Sequence, residues 1–197
     1  MKILIIIPYL LISAFVPWEK FSLSNGLLSN IFFDIGFIFL MIKLFKLQFS
    51  YKLNFEKGDL SKILATISLA AGSILCLNSL SIQNPFIYID WLFFNLVIVG
   101  PILEEFIFRG VFSSFYTKKR ILQHILSGGV FSLSHSLSMI NAPESFYKFF
   151  YVQILYTFIL GIICSVSFTK SRNILKPILI HIVFNSIFYL VTAFQIY

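Results

Sequence analysis

The sequence predicts an all-α, polytopic transmembrane helix bundle of about seven spans. Hydrophobic residues make up 58% of the 197-residue chain and charged residues only 12%, with a mean hydropathy of +0.92. A typical soluble domain carries about 25% charged residues. The apolar residues also occur in runs close to the ~20 residues that a helix needs to cross a bilayer. Composition and run length therefore predict an integral, multi-pass membrane protein.

Seven apolar runs, separated by more polar loops, can be placed along the chain. The first follows Lys2 and has the length of a signal peptide, but no small-x-small cleavage site follows it. We therefore expect an uncleaved first span. The predicted spans are Ile3–Val16, Leu27–Leu44, Ile63–Leu80, Trp91–Tyr116, Ile121–Ile140, Phe149–Phe168 and Ile174–Phe194.

The basic residues lie mostly in alternate loops. Lysine and arginine cluster between spans two and three, four and five, and six and seven. The loop between spans three and four has none, and the loop between five and six has only Lys148. The positive-inside rule then predicts a cytoplasmic N-terminus. The net charge of +7 fits loops facing an anionic bilayer, and no basic stripe interleaved with aromatics predicts a nucleic-acid partner.

Two adjacent carboxylates and an arginine interrupt the fourth apolar run. A charge in hydrocarbon costs at least ~2.5–3.5 kcal/mol on insertion scales, so such groups are usually functional. Glu105 and Arg109 are four residues apart and can pair on one helix face. Glu104 points about 100° away around the same helix. One carboxylate can therefore be neutralised while the other faces a cavity. Gly100-Pro101, just before them, predicts a break in the backbone ladder.

Further polar groups lie at similar depth in two later spans. His135 follows Phe131 by four residues, and Asn185 follows His181 by four, so each pair shares a helix face. Glutamate and histidine can take a proton from water, while a histidine and an amide can donate to an oxyanion. We therefore expect a hydrolytic active site inside the helix bundle, with Phe131 packed against it.

These motifs resemble those of a known protease family. Glu104-Glu105-x-x-x-Arg109, Phe131-x-x-x-His135 and His181-x-x-x-Asn185 are similar, in order, to the three motifs of the CPBP (CAAX protease and bacteriocin-processing, or Abi) family of intramembrane proteases. The resemblance covers the C-terminal half. It implies that residues 1–85 form N-terminal transmembrane helices and residues 86–197 a catalytic transmembrane core.

The resemblance also implies roles for these residues. Glu104 and His135 would hold and activate the attacking water, with Glu104 as general base. His181 and Asn185 would stabilise the oxyanion. Glu105, Arg109 and Phe131 are the residues expected to shape the site.

Whether the site holds a metal is left open by the sequence. Family members have been described both as metalloproteases and as metal-independent glutamate proteases, and the chain lacks a His-Glu-x-x-His motif. A zinc ion could be held by Glu104, His135 and His181. We expect no tightly held cofactor, with zinc as the alternative.

The resemblance implies a peptide or membrane-protein substrate in a bacterial cytoplasmic membrane, with a possible link to bacteriocin processing or self-immunity. Two other classes remain open from the residues alone. An ion-coupled transporter would also use intramembrane Glu, Arg and His, although inverted repeats are not apparent. A non-proteolytic immunity or scaffold protein could carry the same residues without turnover. Asp34, in the second span, has no assigned role.

Overall fold

The computed structural model describes residues 5–16, 27–52, 54–85, 93–115 and 119–193. In these residues the secondary structure is helical, apart from one isolated parallel bridge between Ser50 and Asn173. The predicted all-α fold class is therefore confirmed. We number the α-helices α1 (Ile6–Phe15), α2 (Leu27–Phe45), α3 (Lys57–Ser79), α4 (Gly100–Glu105), α5 (Arg120–Ser136), α6 (Tyr147–Ser171) and α7 (Leu175–Ala193).

The observed helices follow the predicted spans with local differences. Helix α1 covers ten residues, about 15 Å at 1.5 Å per residue. The predicted ends at Ile3, Trp91, Tyr116 and Phe194 lie outside the described residues. The fifth span continues past α5 as a 3₁₀ turn, Leu137–Asn141.

The exterior of the bundle is apolar. On α2, Phe32 is 70% exposed, Phe39 68% and Leu44 62%. Contiguous apolar surface of this kind is unusual on a water-soluble monomer and is favoured against lipid. Among the described residues, three helices are long and apolar enough to cross a membrane: Leu27–Phe45, Lys57–Ser79 and Glu144–Ser171. Two shorter apolar helices accompany them, Ile6–Phe15 and Leu175–Val191.

Helix α3 begins at Lys57, six residues before the predicted start of its span at Ile63. The prediction that the preceding charged residues lie in a loop was wrong for the first two turns of this helix. The side chain of Asp59 accepts a hydrogen bond from the backbone N–H of Glu56 at 2.9 Å and pairs with Lys62 at 2.8 Å. Capping of this kind extends a helix beyond its apolar stretch.

The segment between α2 and α3 is fastened to the turn between α6 and α7. Backbone hydrogen bonds join Ser50 N–H to the Arg172 carbonyl at 3.0 Å and Ile174 N–H to the Ser50 carbonyl at 3.1 Å. Lys170 and Lys176 form ion pairs with Glu56, and their hydrogen bonds lower the pKa of its carboxyl group. These contacts tie the N-terminal helices to the last two helices.

A broken helix, residues 95–115, carries the Glu104 motif. A π-helical turn, Asn95–Val99, precedes α4, and a second one, Phe106–Val111, follows it before a 3₁₀ turn, Phe112–Phe115. The Gly100 N–H donates to the Asn95 carbonyl, five residues back. If this five-residue pattern continued, Pro101 would have to donate a hydrogen bond to the Leu96 carbonyl, but proline has no N–H. The irregular backbone therefore coincides with the break that Gly100-Pro101 predicts.

Helices α5 and α6 approach closely at two glycines. A Cβ atom added to Gly161 would lie 2.8 Å from the Cα atom of Gly128. One added to Gly128 would lie 2.8 Å from the Phe158 carbonyl oxygen. Nearby, the Ser132 hydroxyl donates to the Ile154 carbonyl at 2.7 Å. Small residues at such a crossing allow the backbones to touch, which is a common way of packing helices in membranes.

Gly128→Ala should therefore lower the stability of the protein, by about 1–3 kcal/mol, because its methyl group meets backbone atoms that cannot move aside. The neighbouring Gly129→Ala is the matched control, since a Cβ atom there meets nothing within 4 Å and alanine favours the helix by roughly 0.5–1 kcal/mol. Apparent melting temperatures in one detergent measure both effects. Equal melting temperatures for the two variants would show that this crossing is not tightly packed.

Candidate active site

One cavity of about 390 Å³ brings the predicted site residues together. Glu104 of α4, His135 near the end of α5, and His181 and Asn185 of α7 all line it. The two residues of α7 lie one turn apart, as their spacing of four requires. Three separate helical segments thus direct a carboxylate, two imidazoles and a carboxamide to a common space.

The carboxylate of Glu104 lies between the two imidazoles without touching either. Its Oε2 atom is 3.7 Å from His135 Nε2 and 3.8 Å from His181 Nε2. Both separations exceed the 2.7–3.2 Å of a direct hydrogen bond. This oxygen is buried and has no hydrogen-bond partner among the described residues, while the side chain as a whole is 33% exposed to the cavity. A water molecule could bridge this gap.

The other ring nitrogen of each histidine fixes its tautomer. His135 Nδ1 lies 3.0 Å from the Phe131 carbonyl oxygen, and His181 Nδ1 lies 2.9 Å from Glu105 Oε1. A carbonyl and an ionised carboxylate only accept hydrogen bonds, so each Nδ1 carries the proton when the ring is neutral. Both Nε2 atoms then present lone pairs towards Glu104.

Glu105 and Arg109 form a buried ion pair behind the cavity. Their closest atoms are 3.0 Å apart and both side chains have no exposed surface. The Arg109 guanidinium also donates to the Gly161 carbonyl at 3.0 Å and lies 4.5 Å from the centre of the Phe131 ring. Because Glu105 accepts from His181 as well, this pair connects the broken helix with α6 and α7.

Phe131 packs against both imidazoles. Its fully buried ring meets His135 edge-on with the centroids 4.6 Å apart, and His181 with the centroids 5.5 Å apart. Such contacts restrict ring rotation and so help to keep both Nε2 atoms directed at Glu104.

Asn185 supports the irregular backbone of the broken helix. Its Nδ2 atom donates to the Leu96 carbonyl at 2.7 Å. This is the carbonyl that receives no hydrogen bond from Pro101, because proline has no N–H. A carboxamide has two N–H groups, so Asn185 can make this bond and still offer a second donor.

The candidate zinc ligands Glu104, His135 and His181 have separations slightly wider than those around a bound tetrahedral zinc ion. Donor atoms around a tetrahedral zinc ion, each about 2.05 Å from the metal, lie roughly 3.3 Å from one another. The separations of 3.7 and 3.8 Å around Glu104 Oε2 are wider. Among the described residues, no group of three or more His, Cys, Asp or Glu side chains is placed to hold a metal ion.

Two walls of the cavity are formed by residues outside the predicted site. Helix α6, for which the sequence predicted a membrane span and no site residue, contributes Gln153, Tyr156, Thr157 and Leu160 to the lining. The polar residues four apart at 153 and 157 were an available signal for a face turned inwards. Asp34, which had no assigned role, also lines the cavity and accepts a hydrogen bond from the Tyr9 hydroxyl at 2.8 Å.

Arg109→Met should destabilise the protein by about 3–5 kcal/mol, because it leaves the Glu105 carboxylate buried without its partner. The double variant Arg109→Met with Glu105→Gln should lose much less, since no uncompensated charge is left. Thermal unfolding of the wild type, both single variants and the double variant in one detergent tests this coupling. Additive losses in the double variant would contradict it.

A comparison with protein families places these residues in a wider context. Residues 87–187, just over half of the chain, match the family described as Rce1-like, type II CAAX prenyl endopeptidase. No curated protein and no solved structure matches the chain. The matched range contains Glu104, His135, His181 and Asn185, and it confirms the CAAX-protease resemblance stated from the motifs. The chain belongs to the Rce1-like family and is an integral membrane protease of the CAAX type that acts on a peptide or protein substrate.

Proposed function

We propose that this protein is a glutamate-type intramembrane endopeptidase in which Glu104 activates the attacking water. The observation that carries the proposal is the unpaired Oε2 atom of Glu104. It is buried, and it lies 3.7 and 3.8 Å from two imidazole nitrogens in a cavity of about 390 Å³. A water molecule between these acceptors could donate one hydrogen to Glu104 and the other to His135, which directs its lone pair to the substrate.

The first step is attack of the water oxygen on the scissile carbonyl carbon. Glu104 takes a proton from the water as the new C–O bond forms, and the carbonyl oxygen becomes an oxyanion. When the tetrahedral intermediate collapses, the C–N bond breaks and Glu104 returns that proton to the leaving amine. One carboxyl group thus serves as base and then as acid.

The oxyanion needs hydrogen-bond donors on the side of the carbonyl group away from the attacking water. Asn185 supplies its second N–H. His181 can donate from Nε2 only as an imidazolium, because its Nδ1 proton is already held by Glu105. In that form both ring nitrogens of His181 donate, Nδ1 to Glu105 and Nε2 to the oxyanion. Removing one oxyanion donor typically costs ~10²–10³ in rate.

The two adjacent carboxylates take different roles because they have different neighbours. Arg109 compensates Glu105, which therefore orients His181 instead of reacting. Glu104 has no arginine or lysine beside it among the described residues that line its cavity, and it can accept a proton. Pairs of carboxylates separated in this way by their surroundings are a recurring source of acid–base function.

The substrate we propose is a membrane peptide or membrane-associated protein that reaches the cavity between helices or from the cytoplasmic face. A role in bacteriocin processing or self-immunity, in a bacterial cytoplasmic membrane with a cytoplasmic N-terminus, is part of this proposal. It is supported by the resemblance of the three motifs and by the alternation of basic loops.

Glu104→Gln and His135→Ala should each lower the cleavage rate of reconstituted protein by about 10²–10⁴, the usual range for loss of an acid–base group. His124→Ala is the matched control. His124 lies on α5 with His135, but its Nδ1 atom contacts the Ser165 hydroxyl at 3.0 Å and it does not line the cavity. Mass spectrometry of membrane-anchored peptides measures the rates. Full activity in Glu104→Gln would remove the basis of the proposal.

Chelation should leave activity unchanged, because no step of the proposed reaction requires an ion. Purified protein is treated with 1,10-phenanthroline and assayed on the same peptides, beside its measured metal content. Loss of cleavage that added Zn²⁺ restores would instead assign Glu104, His135 and His181 to a metal.

A further inference from the structure

The cavity has a wall that the family match does not include. Helices α1 and α2 contribute Tyr9, Asn30 and Asp34 to its lining, and all three precede residue 87, where the match begins. Asn30 and Asp34 lie one turn apart on α2 and so share a face. The mechanism proposed above uses none of these three residues.

Two of the described residues that line this cavity carry an oxygen atom that lacks a donor. Asn30 Oδ1 is buried without a hydrogen-bond partner among the described residues, and so is Gln153 Oε1, on a side chain that is only 8% exposed. Among the described residues, Asp34 accepts a hydrogen bond from Tyr9, whereas a carboxylate can accept about four. A buried acceptor without a donor costs about 1–3 kcal/mol. An occupant that brings donors would recover this energy.

The charged groups that line the cavity also favour an occupant that is a cation. Glu104 and Asp34 line the cavity, and the lining residues in the described part of the chain include no lysine or arginine. The nearby Arg109 is directed to Glu105 and the Gly161 carbonyl. Carboxylates in a low-dielectric site are stabilised by a cation that hydrogen-bonds to them.

We propose that Asp34, Asn30 and Gln153 form a subsite for a basic side chain of the substrate, a lysine ammonium or an arginine guanidinium. The proposal rests on the proposed function, because it makes this wall a specificity determinant of the same cleavage reaction. A lysine ammonium has three donors and no acceptor, which matches three acceptor groups without leaving one of its own N–H groups unpaired. The substrate is therefore cleaved near a basic residue that enters the cavity.

A purely structural role for Asp34 makes a different prediction. Its hydrogen bond with Tyr9 joins α2 to α1, so a structural aspartate would affect stability and the cleavage of every substrate alike. A subsite that reads charge affects only substrates with a basic residue. The ratio of cleavage rates for two peptides that differ only in a basic residue therefore distinguishes a structural role of Asp34 from a role in the subsite.

The experiment uses full-length protein in liposomes and membrane-anchored peptides that differ at single positions near the cleaved bond. Each position carries lysine, norleucine, glutamine or glutamate. Wild-type protein should cleave the best lysine peptide at least ~10-fold faster than its norleucine counterpart, as expected for a charge-assisted hydrogen bond. Asp34→Asn, which keeps the shape and an acceptor for Tyr9, should remove most of that preference and change the norleucine rate less than about threefold.

Two further variants complete the test. Tyr9→Phe removes the hydroxyl but leaves the Asp34 charge, so the lysine preference should persist. Gln153→Leu removes a cavity acceptor and should lower the preference without abolishing it. Melting temperatures of all variants are measured in parallel.

The outcomes distinguish this subsite from the proposed function. Cleavage that is absent, or is unchanged by Glu104→Gln, contradicts the proposed function itself. Cleavage that depends on Glu104 but is equally fast for lysine and norleucine peptides overturns the subsite alone. A uniform loss across all peptides in Asp34→Asn, with a lower melting temperature, also overturns it and assigns Asp34 to structure.

Discussion

The buried ion pair between Glu105 and Arg109 is the constraint on which the site depends. Two charges that have left water must be compensated by each other and by further hydrogen bonds. Here the compensation comes from other helices: the Gly161 carbonyl on α6 receives a guanidinium N–H, and the His181 ring on α7 donates to the carboxylate. Because these partners lie on different helices, the pair can be satisfied only when the broken helix, α6 and α7 are assembled in one arrangement. That arrangement also places His181 Nε2 beside Glu104.

The glycine contact between α5 and α6 extends this constraint to His135. Gly161 can offer its carbonyl to Arg109 because it has no side chain, and the same feature lets Gly128 approach it. The close crossing brings Phe131 of α5 over the guanidinium and against both imidazoles. A larger residue at either glycine would separate the helices and move His135 away from Glu104. The packing of α5 against α6 and the position of His135 in the site therefore depend on the same two glycines.

Much of this arrangement could be predicted because the informative residues are costly in a membrane. Adjacent glutamates, an arginine four residues on, and polar pairs at a spacing of four have few stable settings in hydrocarbon, and those residues line or support one cavity. The role of the Gly161 carbonyl on α6 was not predictable in the same way, since a backbone carbonyl carries no sequence signal, whereas the spacing of Gln153 and Thr157 was an available one. Asp34 was visible but unassigned, because a single carboxylate does not indicate which helix it will face. Helix α3 begins earlier than predicted because Asp59 and Lys62 form an ion pair within its first turns, so that both charges are compensated there.

The broken helix explains why the motif lies where it does. Irregular backbone is tolerated at membrane depth only where protein or a cavity surrounds it, and residues 95–115 line such a cavity through Leu96, Gly100 and Glu104. Pro101 removes a donor and leaves the Leu96 carbonyl to Asn185. Asn185, which is proposed to donate to the oxyanion, is thus held at this break in the helix. At the same break, a Cβ atom added to Gly100 would lie 3.8 Å from the Glu104 carboxylate. A side chain at position 100 would occupy space beside the proposed base, so glycine there keeps room for water and substrate.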